Sequence, residues 1–181
     1  MKLNRIYHCI LLLIIGSIIQ SCIVINGSGL SNLSEAEKQK VKPCPNLDSI
    51  QNDGNLYKVT AKQLDIYING RQDVLIYEYL PFCKVGRSPA EVKQFCDKKK
   101  WDCIVISSVY DGIFPIPSNY TFPMFVIDNS VYNTDNYQTY SNKFYAELTK
   151  NESKERKNSS FHYFHNGEYV CSYATIDDVF E

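Results

Sequence analysis

Apolar residues fall into short blocks along this chain, and the spacing within each block predicts its element. Ile10 to Ile19 is almost unbroken apolar sequence behind a basic start, Met1-Lys2-Leu3-Asn4-Arg5. The run is shorter than the roughly 20 residues that a spanning helix needs. A basic start, a short apolar run and the small residue Ser21 have the layout of a secretory signal. Ile23 to Lys40 is polar, then charged, and reads as a tether that Pro43-Cys44-Pro45 ends.

From Leu56 the blocks alternate in type. Leu56 to Thr60 predicts a short strand, and Thr60 is placed to cap a helix over Ala61 to Ile68 that Asn69-Gly70 stops. Val74 to Leu80 is a largely apolar run of the kind buried central strands show. Ser88-Pro89-Ala90-Glu91 is a strong helix start, with a capping serine, proline at the first helical position and a glutamate to close the capping box. Val92, Phe95 and Cys96 share one face of that helix. Asp102 to Ser107 is a second buried-strand run. Ile113 to Pro123 is irregular, broken by Pro115, Pro117 and Pro123, and Met124 to Ile127 predicts a short extended piece.

Tyr140, Phe144 and Leu148, spaced by one helical turn each, predict a helix across Asn136 to Lys150. A charged loop, Asn151 to Asn158, then leads into a hairpin with strands Phe161–His165 and Glu168–Tyr173 around Asn166-Gly167, the pairing that a type I′ turn prefers. Thr175 is placed to cap a last short helix. The predicted order is β-α-β-α-β-α-β-β-α. It implies an α/β domain with a central mixed sheet, parallel where helices cross over and antiparallel at the hairpin. Helices cover both faces, which makes a three-layer sandwich.

Composition narrows what such a domain does. A net charge of -1 and a pI near 6.3 offer no surface for nucleic acid. The 14 tyrosines suit a half-exposed sheet face or a binding groove, since the ring packs while the hydroxyl stays wet. Of the 7 cysteines, Cys9 lies in the signal. Beyond Cys22 there remain Cys44, Cys83, Cys96, Cys103 and Cys171, an odd number for an oxidising compartment. Cys44, between prolines, is the expected disulfide former, and Cys96, Cys103 and Cys171 read as structural. His162 and His165 are three apart on a strand and point to opposite faces. No cysteine or histidine spacing fits a metal site, and neither metal nor cofactor is expected.

Ile19-Gln20-Ser21-Cys22 resembles the end of a bacterial lipoprotein signal, in which the cysteine after the cut becomes the lipidated first residue. That resemblance implies an acylated, palmitate-bearing Cys22 and a domain held at the cell envelope. The expected organisation is a signal over residues 1–21, a lipid anchor and tether over 22–45 and one domain over 46–181. Ile23 directly after Cys22, where no aspartate stands, resembles the outer-membrane sorting pattern.

Val74 to Cys83 (VLIYEYLPFC) resembles the thioredoxin strand that delivers a reactive cysteine, and Phe161 to Tyr173 (FHYFHNGEYVCSY) resembles that family's closing hairpin. The resemblance implies a thioredoxin-like fold with Cys83 at the catalytic position. Its chemistry needs a second cysteine to resolve the mixed disulfide. Gly86 stands at that place, and no proline occurs after Pro123 to precede the hairpin. Dithiol exchange is therefore not expected. The reading favoured by the sequence is a lipid-anchored bacterial envelope protein whose degenerate thioredoxin-like domain binds or scaffolds an envelope protein without acting as an enzyme. The alternative is a monothiol oxidoreductase working through Cys83, with Lys84 and Arg87 favouring the thiolate and Cys96 or Cys103 resolving.

Overall fold

A computed structural model describes residues 29–83, 86–150 and 159–180. The expected signal, Cys22, Lys84 and the charged loop 151–158 lie outside the described residues. Seven strands build one mixed sheet: β1 Val41–Pro43, β2 Leu56–Val59, β3 Asp73–Glu78, β4 Asp102–Ser107, β5 Met124–Ile127, β6 Phe161–His165 and β7 Glu168–Tyr173. Helices α1 Glu35–Lys38, α2 Ala61–Asn69, α3 Pro89–Lys99 and α4 Tyr137–Leu148 accompany it.

The sheet order is β1-β2-β5-β4-β3-β6-β7. Strands β1 to β5 run parallel, β6 is antiparallel to β3, and β7 closes the hairpin antiparallel to β6. The α/β class and mixed sheet therefore stand. Helices α2 and α4 cover one face, packing Leu64, Ile68, Tyr140, Phe144 and Tyr145 onto Val74, Ile76, Ile104, Ile106 and Phe125. Helix α3 and the Ile113–Phe122 segment cover the other, over Leu75, Tyr77, Val105, Met124 and Val126. Both faces of the parallel strands are apolar because both are covered.

Two segments take a larger part than their sequence suggests. Met124–Ile127 is not a marginal piece: all four residues are buried, and β5 stands between β2 and β4. The first two strands of the predicted alternation are thus two strands apart in the sheet. Residues 29–45 are not a bare tether either. Val41–Pro43 pairs with β2, Leu33 and Cys44 are buried, and Ser34 and Glu37 form a full capping box on α1. The domain therefore begins before residue 46.

Local signals decide where elements start and stop. Thr60 caps α2 and Gln63 reaches back to its N–H, while Ser88 and Glu91 do the same for α3. Asn166 (φ 52°) and Gly167 (φ 84°) both lie in the left-handed region that a type I′ turn demands. Gly167 has a second constraint, since a Cβ there would stand 2.8 Å from Asn69 Oδ1.

Candidate functional site

In an open α/β sheet, ligands gather beyond the carboxyl ends of the parallel strands. At that edge β3 ends in Glu78 and runs into Tyr79-Leu80-Pro81-Phe82-Cys83. Tyr79 still bonds to β4 (N–H to Ile106 O, 2.8 Å), and the loop then turns, with Cys83 N–H donating to Leu80 O at 3.0 Å. Cys83 is exposed and its thiol is free. Phe82 beside it is 43% exposed. Pro81 rests against Gly112, where an added Cβ would meet it at 3.3 Å.

Among the described residues near Cys83, the first turn of α3 and Arg87 are engaged with other partners. The first turn of α3 is already capped: Ser88 Oγ accepts from Glu91 N–H at 3.3 Å, and Glu91 Oε2 accepts from Ser88 N–H at 2.9 Å. Helix α3 begins only at Pro89, so its positive end points at its own cap. Arg87 turns to Asp177, with Nη2 3.1 Å from Oδ2. Its carbonyl accepts the Tyr77 hydroxyl at 2.6 Å. A Cβ on Gly86 would stand 3.2 Å from that same hydroxyl, so the position of a second cysteine is crowded.

The two cysteines read as possible resolving partners stand elsewhere. Cys103 pairs in register with Leu75, near the start of β3. The advance from Leu75 to Glu78 alone is roughly 10 Å along the strand, and Cys83 lies beyond it. Cys96, on the inner face of α3, is fully buried in the cluster that Cys103 packs against. The structure keeps both away from Cys83. Cys44 is not a mobile disulfide former: it is buried in the α2 and α4 core, and burial pushes its thiol up to about 11.

The same edge holds a polar tie that the sequence reading passed over. Glu78 Oε1 accepts from Ser108 Oγ and, at 3.2 Å, from Ser141 Oγ, and the two hydroxyls are 3.1 Å apart. Tyr140 donates to Ser108 O. Ser108 is fully buried, which closes it to a substrate, and the set fastens β3, β4 and α4 together. Its one sequence signal is a glutamate closing the apolar run of β3, in register with Ile106 just before the Ser107-Ser108 pair at the end of β4.

Around the loop lies an aromatic shelf. Tyr77 stacks on Phe161 (centroids 4.7 Å apart), Tyr120 stacks on Phe122 (4.7 Å), and Tyr79 is half-buried beside them. The irregular segment is pinned: Asn52 Nδ2 donates to Pro117 O and Tyr120 O at 3.0 and 2.9 Å. The Phe114–Pro115 peptide bond within it is cis. Two cavities flank α3, one of about 240 Å³ between Arg87, Phe95 and Ile176 and one of about 340 Å³ beside Tyr120 and Phe122.

The histidines do point apart. His162 is buried, its Nδ1 2.7 Å from Ser172 Oγ and its ring 4.4 Å from that of Tyr145. His165 is exposed on the other face and meets Asp73 Oδ1 at 2.8 Å. Among the described residues no group of three or more histidine, cysteine, aspartate or glutamate side chains is placed to hold a metal, and no helix is long and apolar enough to cross a membrane. Comparison with protein-family models, with curated proteins and with solved structures returns no match to this chain.

Proposed function

We propose that this chain is a lipid-anchored protein of the bacterial envelope, tethered through Cys22, whose thioredoxin-like domain binds or scaffolds an envelope partner without dithiol redox chemistry. One observation carries the second half of that reading: Cys83 stands alone. It occupies the end of a central strand beside an antiparallel hairpin, yet Gly86 takes the place of a second cysteine. The remaining thiols are on the far part of the sheet or in the core. Among the described residues, a mixed disulfide formed at Cys83 has no neighbouring thiol to resolve it. The half-exposed aromatics Tyr79, Phe82 and Tyr120 then form the candidate contact surface, apolar rings with polar tips of the kind interfaces favour.

Envelope location and lipid attachment rest on the sequence around Cys22. Detergent phase partitioning of the full chain tests them, with the protein expected in the detergent phase and its Cys22→Ser variant in the aqueous phase. For the domain, Cys83→Ser is expected to leave the host phenotype as in wild type. A loss equal to deletion of the gene would overturn the binding reading. It would favour the monothiol alternative, which the exposure of Cys83 at the strand end keeps open.

A further inference from the structure

Helix α3 ends in a Schellman turn. Lys100 adopts the left-handed conformation (φ 60°, ψ 34°), its N–H reaches Asp97 O, and Trp101 N–H reaches Cys96 O at 2.9 Å. This turn reverses the chain at once, so that β4 starts directly beneath the last turn of its own preceding helix. Cys96, carrying the accepting carbonyl, points down at the sheet and is fully buried. Cys103, the second residue of β4, points up into the same core cluster. Both side chains thus lie in the same layer between α3 and the sheet, where the two thiols are neighbours. Trp101, the residue after the turn, stacks on Tyr163 at 4.7 Å and lies edge-on to Phe95 at 5.9 Å.

From this juxtaposition we infer that Cys96 and Cys103 form the domain's internal disulfide, a staple between the end of α3 and the start of β4. The oxidant is a disulfide, of a protein or of a small thiol. Cys103 thiolate attacks one of its sulfurs and expels a thiolate. Cys96 thiolate then attacks Cys103 sulfur in the mixed disulfide and expels the second. Two thiol protons end on the two expelled thiolates, and two electrons pass to the oxidant. The contact with Cys96, and then burial, hold the Cys103 thiol well above its ordinary range. Oxidation therefore belongs to folding, before the site closes, and the finished bond is a staple and not an exchange site. The staple consumes the two candidates for resolving Cys83; Cys44, Cys83 and Cys171 stay outside it, and of these Cys83 is the exposed one.

In the cell the bond rests on the export reading, because a reducing compartment would keep both thiols free. In the purified chain it does not. The protein is to be unfolded, reduced, refolded with glutathione disulfide, alkylated and digested with trypsin. Cleavage after Lys98, Lys99 and Lys100 separates the two cysteines, so a disulfide-linked peptide pair is diagnostic. The expected product links Cys96 to Cys103, with Cys83 alkylated. The oxidised protein should also unfold at higher urea than the reduced one, and Cys96→Ala with Cys103→Ala should abolish that difference. Finding both thiols alkylated, or Cys103 joined to Cys83 or Cys171, overturns the pairing. Bond formation in the purified chain supports it in any compartment. Failure to partition into detergent counts against export alone.

Discussion

Asp73 opens β3 with its Oδ1 held from two sides, by the Tyr163 hydroxyl at 2.6 Å and by His165 Nδ1 at 2.8 Å. The tyrosine hydrogen bond first, and then the histidine, keep its carboxyl below the usual range. A carboxylate depressed in the folded state binds its proton more readily when unfolded. Its contribution is therefore complete above the unfolded value near pH 4 and is lost as pH falls through the lower folded value. Asp73→Asn is expected to flatten the acid limb of a plot of urea midpoint against pH, between about pH 2 and 5. Tyr163→Phe should flatten it partly. An unchanged limb in Asp73→Asn would remove this residue from the acid sensitivity. At this scale the sequence told which way side chains point, since alternation alone separates His162 from His165. It did not tell their partners. Asp73 is 92 positions from His165, and only the pairing of β3 with β6 joins them.

At the scale of elements, caps and turns are local and were largely readable. Ser88 and Glu91 announced α3 and formed the box that the sequence promised. Ser88→Ala should cost about 1 kcal/mol by urea denaturation, because it leaves the Glu91 N–H without its acceptor. Gly167→Ala should cost more. It adds a left-handed penalty of about 1–2 kcal/mol to a clash with Asn69, and Asn69→Ala in the same chain should recover only the part of the clash made by the Asn69 amide. Equal loss in the single and double variants would mean that Asn69 gives way freely. Thr60 caps α2 as its position predicts, and Gln63 completes a box there of the same kind. What local sequence cannot carry is strand order. Met124–Ile127 says strand, yet nothing in four apolar residues says that it enters between β2 and β4. In the same way, Val41-Lys42-Pro43 sits among polar residues and becomes a strand only because β2 offers an open edge. Proline there suits the outermost strand, where a missing N–H breaks no ladder.

At the scale of the molecule, the tyrosines change meaning. Their number suggested a wet aromatic surface, and Tyr79 and Tyr120 fit that expectation. Tyr77, Tyr110, Tyr140 and Tyr145, however, are buried. Tyr77 donates to Arg87 O at 2.6 Å, Tyr110 to Ile127 O at 2.9 Å, and Tyr140 to Ser108 O. These hydroxyls tie the carboxyl ends of the parallel strands to the loops that follow, so the edge carrying Cys83 is braced. Burial pushes all three phenols above their ordinary range, and likewise lifts the Cys44 thiol to about 11. Unfolded, the same groups release protons from about pH 8.5 for the thiol and about pH 10 for the phenols. The folded state then holds more protons than the unfolded one, and stability falls as pH rises through that window. Alkaline unfolding should consequently be cooperative, with buried phenolate absorbance appearing together with loss of helical circular dichroism. Tyr110→Phe should weaken the pH dependence while removing the hydroxyl that Ile127 O and Asn129 Oδ1 accept from, so its loss of stability should be larger at neutral pH than at alkaline pH. Phenolate signal that rises gradually ahead of the dichroism change, beyond what the exposed tyrosines supply, would mean that the braced hydroxyls ionise in the folded protein. The edge around Cys83 would then be loose enough to move, and a domain that works as a rigid contact surface would be the wrong description of it.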